Sequence, residues 1–126
     1  MIANPSKFQV IVFSKAKYPI LTTFHIKDNI IDSKKSVYLL GITFDYKLKF
    51  SMHIKEICQR ASSQLNALFR LKKYLSRDSK RLSVNSFIIS NFNYCPLIWH
   101  FSDYNSIKKF ESIQKRALRF MCQQKL

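Results

Sequence analysis

The spacing of apolar residues changes near Phe50, and this change constrains the fold more than any other feature of the sequence. Before Phe50, apolar residues form short clusters separated by turn-like stretches, which is typical of β-strands. After it, they recur every three or four positions, as on the buried face of a helix. The sequence therefore predicts an α+β chain, in which a small antiparallel β-sheet or hairpin segment (residues 1–50) precedes a bundle of three helices (residues 51–126).

The first part contains three predicted strand regions. One of them covers Phe8–Ser14. In the second, Thr22–Ile26 and Ile30–Ile31 flank a short turn, which predicts a hairpin. The third covers Val37–Asp45 and contains Gly41, the single glycine of the chain. An isolated glycine inside a strand usually marks a bulge or the close approach of another backbone, so we expect one of these at Gly41.

Three helices are predicted in the second part. The first begins at Ser51, whose hydroxyl suits the N-cap position. The second follows Ser76 and ends before Pro96, because proline cannot continue a helix. The third runs from about Ile107 to Met121. The residues expected to be buried are Ile54, Ile57, Cys58, Ala61, Leu65, Leu68, Phe69 and Leu75 for the first helix, and Ile107, Phe110, Ile113, Ala117 and Met121 for the third.

The chain carries a large excess of positive charge. It has 22 Lys and Arg residues against 7 Asp and Glu, a formal net charge of +15. Residues 51–126 hold 14 of the basic and 4 of the acidic side chains, so most of the excess lies on the predicted helices. Such an excess causes self-repulsion unless a polyanion neutralises it. Nucleic acid is the commonest partner of this kind, and an anionic membrane surface is the alternative.

The basic residues of the first and third predicted helices gather on their exposed sides. In the first helix Glu56 is the only acid, so the cations lack the acidic partners four positions away that a merely solvated helix face tends to carry. A solvated face is the alternative interpretation. Polar side chains between the cations suit contact with a phosphate backbone. The candidate nucleic-acid-binding residues are Lys55, Gln59, Asn66, Arg70, Lys73, Arg116 and Arg119.

Motifs for metal binding and catalysis are scarce. The three histidines and three cysteines are widely scattered and lack the spacing of zinc ligands. A single glycine excludes a Gly-rich phosphate-binding loop. Asp28, Asp32 and Asp45 each lie in a turn-like setting, where a lone aspartate normally caps the backbone. We therefore expect no metal site and no membrane-spanning segment, and the odd cysteine count favours a reducing intracellular compartment, cytoplasmic or nuclear.

Several segments, in order, resemble the C-terminal end of non-LTR (LINE-type) retrotransposon reverse transcriptases. Two patterns are the most specific: a strand ending in Leu-Gly-Ile-Thr-x-Asp with Leu-x-Phe and His-Ile after it, and the segment Tyr-Cys-Pro-Leu-x-Trp. The resemblance covers nearly the whole chain. The matching segments are NPSKFQVIVFS (4–14), VYLLGITFDYKLKFSMHI (37–54), LNALFRLKKYL (65–75) and NFNYCPLIWHF (91–101), the last followed by ESIQKRALRFM (111–121).

The resemblance implies a role for each part of the chain. Residues 1–50 correspond to the end of the polymerase palm, with Leu40-Gly41-Ile42 in the hairpin that grips the primer. Lys7 corresponds to a lysine near the phosphates of the incoming nucleotide, where an ammonium group neutralises charge and can donate a proton. Residues 51–126 correspond to the helical thumb, which lies against the RNA–DNA template–primer duplex. Trp99 and its neighbours Tyr94, Pro96 and Leu97 are interpreted as core that orients these helices.

The resemblance also implies a polymerase reaction that uses Mg²⁺, held by aspartates upstream of the lysine motif. Only three residues precede Asn4. We therefore expect a fragment of an RNA-directed DNA polymerase that binds template–primer, holds no cofactor itself, and is inactive without the upstream fingers and palm. One alternative is a free-standing basic nucleic-acid-binding or architectural protein without enzymatic activity. Another is a non-functional remnant.

Overall fold

The computed structural model describes Asn4, residues 7–26 and residues 28–122, and it confirms the α+β organisation that the sequence predicts. Small strand pairs occupy the first part, and a helical region follows from Ser51 onward. The chain divides into two compact units, Met1–His53 and Ile54–Leu126. We call them the strand unit and the helical unit.

A three-stranded sheet is built from β1 (Val10–Ile11), β2 (Thr23–Ile26) and β3 (Asn29–Lys34). Strand β3 lies in the middle, antiparallel to β2 and parallel to β1. The predicted hairpin is thus confirmed, although Lys27 in its turn lies outside the described residues. The first predicted strand is shorter than Phe8–Ser14, because beyond Ile11 the backbone leaves β3 and the Ser14 amide donates to the carbonyl of Tyr46 at 3.0 Å.

A second, two-stranded sheet is a hairpin of β4 (Ser36–Leu39) and β5 (Ile42–Asp45). The prediction of one strand over Val37–Asp45 is wrong, because Leu40 and Gly41 form a two-residue turn with φ values of 50° and 81°. Positive φ at both central residues is the pattern of turns whose twist matches that of paired strands. Gly41 therefore reverses the chain instead of marking a bulge, and a hairpin lies where the resemblance implied one.

The Asp45 carboxylate organises the loop between β5 and the first helix. It accepts hydrogen bonds from the backbone amides of Lys47 at 3.0 Å, Lys49 at 3.2 Å and Phe50 at 2.6 Å. Leu48 and Phe50 have φ values of 55°, which non-glycine residues adopt at an energetic cost. Charge-assisted hydrogen bonds offset that cost. Asp45 thus caps the backbone, as its sequence setting predicted.

Two buried side chains complete this corner of the strand unit. Phe50 is buried and packs edge-to-face on Phe44, with ring centroids 5.6 Å apart. His53 is also buried, and its Nδ1 accepts a hydrogen bond from the Thr43 amide at 3.4 Å. That bond requires Nδ1 to be unprotonated. The spacing of Asp45, Phe50 and His53 in the sequence therefore matches the geometry of this loop and of the first turn of the helix that follows it.

The helical unit contains two long helices and an intervening helical run. The long helices are α1 (Ser51–Arg70) and α5 (Tyr104–Cys122). The run consists of α2 (Arg77–Ser83), a π-helical segment (Val84–Ile89) and α3 (Ser90–Asn93) without a break, and it corresponds to the predicted second helix. A short helix, α4 (Leu97–His100), was not predicted.

The ends of these helices largely agree with the predictions. Ser76 caps α2, since its Oγ accepts a hydrogen bond from the Ser79 amide at 3.2 Å. The run ends before Pro96, where Tyr94 is extended. Helix α1 takes Ser51 as its first helical residue, so it begins one residue earlier than an N-cap at Ser51 implies. It ends at Arg70, which leaves Leu75 outside it.

The core of the helical unit is formed by rows of apolar side chains from α1, the π-helical segment, α3, α4 and α5. In α5 the buried row ends at Phe120, which is fully buried against Phe69 with ring centroids 5.2 Å apart. The predicted row differs at both ends, because it ends at Met121 and begins at Ile107, which is 38% exposed. The buried apolar residues of the helical unit are Ile54, Ile57, Cys58, Ala61, Leu65, Leu68, Val84, Ile88, Phe92, Ile98, Ile113, Ala117 and Phe120.

An aromatic cluster joins the middle run to α4 and α5. Trp99 packs against Phe92 and Phe110, with ring centroids 5.6 and 5.1 Å away, and its indole N–H donates to the Phe92 carbonyl at 3.1 Å. The prediction that Trp99 belongs to the core is confirmed. The same prediction is wrong for Tyr94, Pro96 and Leu97, which are exposed.

Replacement of Asp45 tests the role of its carboxylate. Asp45→Asn keeps the size of the side chain but puts an amide donor against one of the backbone amides, so we expect the free energy of unfolding to fall by roughly 2–3 kcal/mol. Urea unfolding of the full chain measures this loss, and hydrogen exchange at Lys47, Lys49 and Phe50 localises it. Asp32→Asn is the control, because the hydrogen bond that the Asp32 carboxylate accepts from the Thr23 hydroxyl is exposed. Equal losses in the two variants would contradict the role of Asp45.

Candidate nucleic-acid interface

A groove of about 540 Å³ lies between α1 and α5. Its floor includes Cys58 and Ile113, which are buried, and its walls are polar and basic. We call it the α1–α5 groove. It is lined by Lys55, Cys58, Gln59, Ser62, Ser63 and Asn66 from α1, and by Lys109, Ser112, Ile113 and Arg116 from α5.

Helical periodicity brings these side chains together. Lys55, Gln59 and Asn66 recur at intervals of about one or two turns, so they share a face of α1. Lys109, Ser112 and Arg116 do the same on α5. Each of these rows borders the buried row of its own helix, and packing of the two buried rows therefore places the polar rows on opposite walls of one groove.

A hydrogen bond across the groove fixes one of its cations. The Arg116 guanidinium donates to Oδ1 of Asn66 at 2.7 Å. Because an amide oxygen carries no net charge, this partner orients the guanidinium without neutralising it. The bond also occupies the Asn66 oxygen, which leaves the amide NH₂ group of Asn66 as the donor for a ligand.

The groove is electropositive. Lys55, Lys109 and Arg116 line it, and none of its described lining residues is acidic. The basic surface continues over α5 beyond the groove, where Arg116 and Arg119 line two adjoining depressions. One of these also contains Lys108, Lys115 and a single acid, Glu111. A polyanion placed along α5 would therefore meet cations over several helical turns.

The pKa of the Cys58 thiol reflects its position in the floor of the groove. Burial raises its pKa above the ordinary thiol range, because the thiolate is poorly solvated there. The ammonium group of Lys109 acts in the opposite direction, since a nearby cation favours the thiolate. The raised pKa keeps the thiol neutral, so Cys58 is a packing residue and not an activated nucleophile.

The predicted nucleic-acid-binding residues are only partly brought together. Lys55, Gln59, Asn66 and Arg116 line the groove, and Arg119 adjoins it. Arg70 is the last residue of α1 and does not line the groove. Lys73 lies in the turn after α1, so the helical period that placed it on the same stripe does not apply to it.

The other predicted site residues belong to the strand unit. Lys7 is exposed, and its backbone amide donates to the Asn4 carbonyl at 3.1 Å. Leu40 and Gly41 form the tip of the β4–β5 hairpin, where Leu40 is 79% exposed, and Ile42 begins β5 and is buried.

Sequence reasoning missed Lys109, Ser112 and the serines of α1 as groove residues. A signal for Lys109 and Ser112 was present, because both precede Arg116 at helical spacing. Ser63 also carried the signal, because it lies four positions after Gln59 on the polar face of α1, whereas Ser62 did not. Ser62 becomes relevant only because α5 packs beside it.

The described residues do not provide a site for a catalytic metal. No group of three or more His, Cys, Asp and Glu side chains among them could hold a metal ion. The carboxylates of Asp32 and Asp45 accept hydrogen bonds from the protein itself. Separately, no described helix combines the length and apolarity that crossing a bilayer requires.

Alkylation of Cys58 tests the position of Lys109. The reaction needs the thiolate, and Lys109→Gln removes a charge that favours it, so the pH of half-maximal alkylation should rise. Mass spectrometry of the peptide that contains Cys58, over a series of pH values, measures this shift. Arg81→Gln removes an exposed charge outside the groove and should leave the profile unchanged. An unchanged profile in Lys109→Gln would show that Lys109 does not reach the floor of the groove.

A comparison with known proteins finds one informative similarity. The chain is 26% identical over 120 residues to a Drosophila melanogaster protein described as "Probable RNA-directed DNA polymerase from transposon BS". The match covers 92% of this chain but only 13% of that protein. No protein-family model and no solved structure matches the chain. The similarity supports a relationship to reverse transcriptases at the family level, with this chain spanning a small part of the length of its relative.

Proposed function

We propose that this chain is the template–primer-binding part of a transposon reverse transcriptase, and that the α1–α5 groove holds the backbone of an RNA–DNA hybrid. The groove itself is the observation that carries the proposal, because its cations come from two helices and no described lining residue is acidic. Support also comes from the relative, whose name describes it as a probable RNA-directed DNA polymerase. In this proposal residues 51–126 serve as a thumb and residues 1–50 as the end of a palm.

The side chains of the groove suit a sugar–phosphate backbone. Lys55, Lys109 and Arg116 would neutralise phosphates and release condensed counterions, which is the main source of affinity for a polyanion. Hybrid duplexes of A-like form are recognised through phosphates and 2′-hydroxyls and not through base edges. The groove offers hydroxyl and amide groups for such contacts from Gln59, Ser62, Ser63, Asn66 and Ser112.

The length and rigidity of the groove fit the same ligand. From Lys55 to Asn66 the α1 wall extends about 16 Å along the helix axis, enough to follow several consecutive phosphates. The bond from Arg116 to Asn66 holds one cation in place before the ligand arrives. A preorganised cation loses less conformational entropy on binding than a free one. Arg119 would extend the contact along α5, and Arg70 and Lys73 would add long-range attraction.

The strand unit takes its proposed roles from the family resemblance. The β4–β5 hairpin would contact the end of the primer, and the absence of a Cβ at Gly41 would permit a close approach of the backbones. Exposed Lys7 would face the phosphates of the incoming nucleotide. Polymerisation would depend on Mg²⁺ bound by aspartates elsewhere in the enzyme, and the contribution of this chain is to hold the nucleic acid.

Charge removal in the groove tests the proposal. The variant Lys109→Gln/Arg116→Gln should weaken binding of a short RNA–DNA hybrid roughly tenfold at low salt and reduce the slope of log K against log salt concentration by about 2. Fluorescence anisotropy with labelled hybrid measures both quantities. Circular dichroism should show unchanged helix content, because both side chains lie on the surface of the groove.

The control removes the same charge from another part of the helical unit. Arg77→Gln/Arg81→Gln changes two exposed arginines that line a separate depression beside Met121 and Cys122. Its effect should be limited to the general loss of charge. Equal losses of affinity and slope in the two variants would show that the groove is not the binding surface.

A further inference from the structure

The strand unit has a basic surface of its own, which shares no residue with the α1–α5 groove. It is formed by two loops, residues 14–18 and residues 46–49. All four lysines of these loops are exposed, and one of their two tyrosines, Tyr18, is 71% exposed. We call this surface the lysine–tyrosine patch. It consists of Lys15, Lys17, Tyr18, Tyr46, Lys47 and Lys49.

Two hydrogen bonds hold the loops together. The Ser14 amide donates to the Tyr46 carbonyl at 3.0 Å, and the Tyr46 hydroxyl donates to the Lys17 carbonyl at 2.9 Å. The second bond joins positions 29 residues apart in the sequence. Like-charged lysines from distant segments are thus kept in one region, although their mutual repulsion would favour separation.

The shape of the second loop is imposed by Asp45. Its carboxylate accepts from the Lys47 and Lys49 amides, and the residue between them, Leu48, has a φ of 55°. A left-handed conformation at a non-glycine residue is costly, and such conformations are concentrated at functional sites. Asp45, the nearest acid in the sequence, is used to hold the backbone while the lysine side chains remain exposed.

Each tyrosine ring has a lysine over its face. Lys17 Nζ lies 5.6 Å from the ring centroid of Tyr18, and Lys47 Nζ lies 5.4 Å from that of Tyr46. A flat ring beside a cation provides both of the contacts that a nucleotide needs, stacking for the base and charge for the phosphate. In a duplex the faces of the bases are already stacked on their neighbours. An unpaired strand leaves them available.

We propose that the lysine–tyrosine patch binds single-stranded nucleic acid, with Tyr18 stacking on an unpaired base and the surrounding lysines contacting the adjacent phosphates. This site differs from the α1–α5 groove in its residues and in the form of nucleic acid that it takes. Stacking is tolerant of base identity, so binding should show little sequence preference.

Tyr18 variants test the stacking contact in the full chain. Tyr18→Leu should weaken binding of a labelled single-stranded RNA by about fivefold or more, whereas Tyr18→Phe, which keeps the ring, should bind like the native chain. The same RNA with abasic positions should bind weakly and should be insensitive to Tyr18→Leu. An unchanged affinity in Tyr18→Leu, or an equal loss on abasic RNA, would overturn the proposal.

Lysine variants test the phosphate contacts. Lys17→Gln/Lys47→Gln should reduce the salt slope for single-stranded RNA by about 1.4, while Arg77→Gln/Arg81→Gln serves as the charge-matched control. If the lysine pair lowered binding to vesicles of anionic lipid but left binding to RNA unchanged, the patch would be a membrane contact and the proposal would be wrong.

Combining Tyr18→Leu with the groove variant tests whether the two sites bind independently. Measured in Lys109→Gln/Arg116→Gln, the effect of Tyr18→Leu on single-stranded RNA should persist, because the two sites share no residue. Loss of the Tyr18 effect in the Lys109→Gln/Arg116→Gln variant would show that the lysine–tyrosine patch is not an independent site. If the groove variant failed to weaken binding of the hybrid while the Tyr18 effect remained, the proposed groove function would be wrong and the patch would stand.

Discussion

The carboxylate of Asp45 is the interaction on which the strand unit depends most. Three backbone amides of the following loop donate to it, and two residues of that loop adopt left-handed conformations that would be costly without those bonds. The loop in turn buries Phe50 against Phe44 and brings His53 to the amide of Thr43. The segment from Gly41 to His53, which resembles a polymerase motif, therefore also stabilises the fold. Gly41 reverses the chain and Asp45 caps the loop. Phe50 and His53 are buried against the β4–β5 hairpin.

Several acids of the chain accept hydrogen bonds from backbone amides or hydroxyl groups of the protein itself. Asp45 serves the backbone, Asp32 accepts from the Thr23 hydroxyl, and Asp103 accepts from Ser106, a hydrogen bond that lowers the pKa of Asp103. In the α1–α5 groove, likewise, Arg116 is oriented by an uncharged amide. In the groove and in the lysine–tyrosine patch, hydrogen bonds to a neutral amide or to the backbone thus position the basic residues without neutralising their charge. Such surfaces are stabilised when a polyanion binds.

The sequence predicts those features that depend on local periodicity, and it fails where distant contacts decide. Most of the buried row of α1 and the start of the second helix after Ser76 follow from spacing and side-chain chemistry, and both are observed. The Leu40-Gly41 turn was missed because a leucine at positive φ lacks the Asn-Gly or Asp-Gly signal of such turns. Phe120 was missed because the row was assigned to Met121, one position further along α5. The groove could not be predicted as a unit, because the sequence does not state that α5 packs beside α1.

The most direct test of the central claim is to map the contact surface of the full, isotopically labelled chain by NMR during titration with an RNA–DNA hybrid. The largest changes in amide and side-chain signals should occur at the walls of the α1–α5 groove, at Lys55, Gln59, Asn66, Lys109 and Arg116. Signals of Arg77 and Arg81 should change little. Changes confined to α2, or spread evenly over all the basic residues, would contradict the assignment of the groove as the nucleic-acid interface.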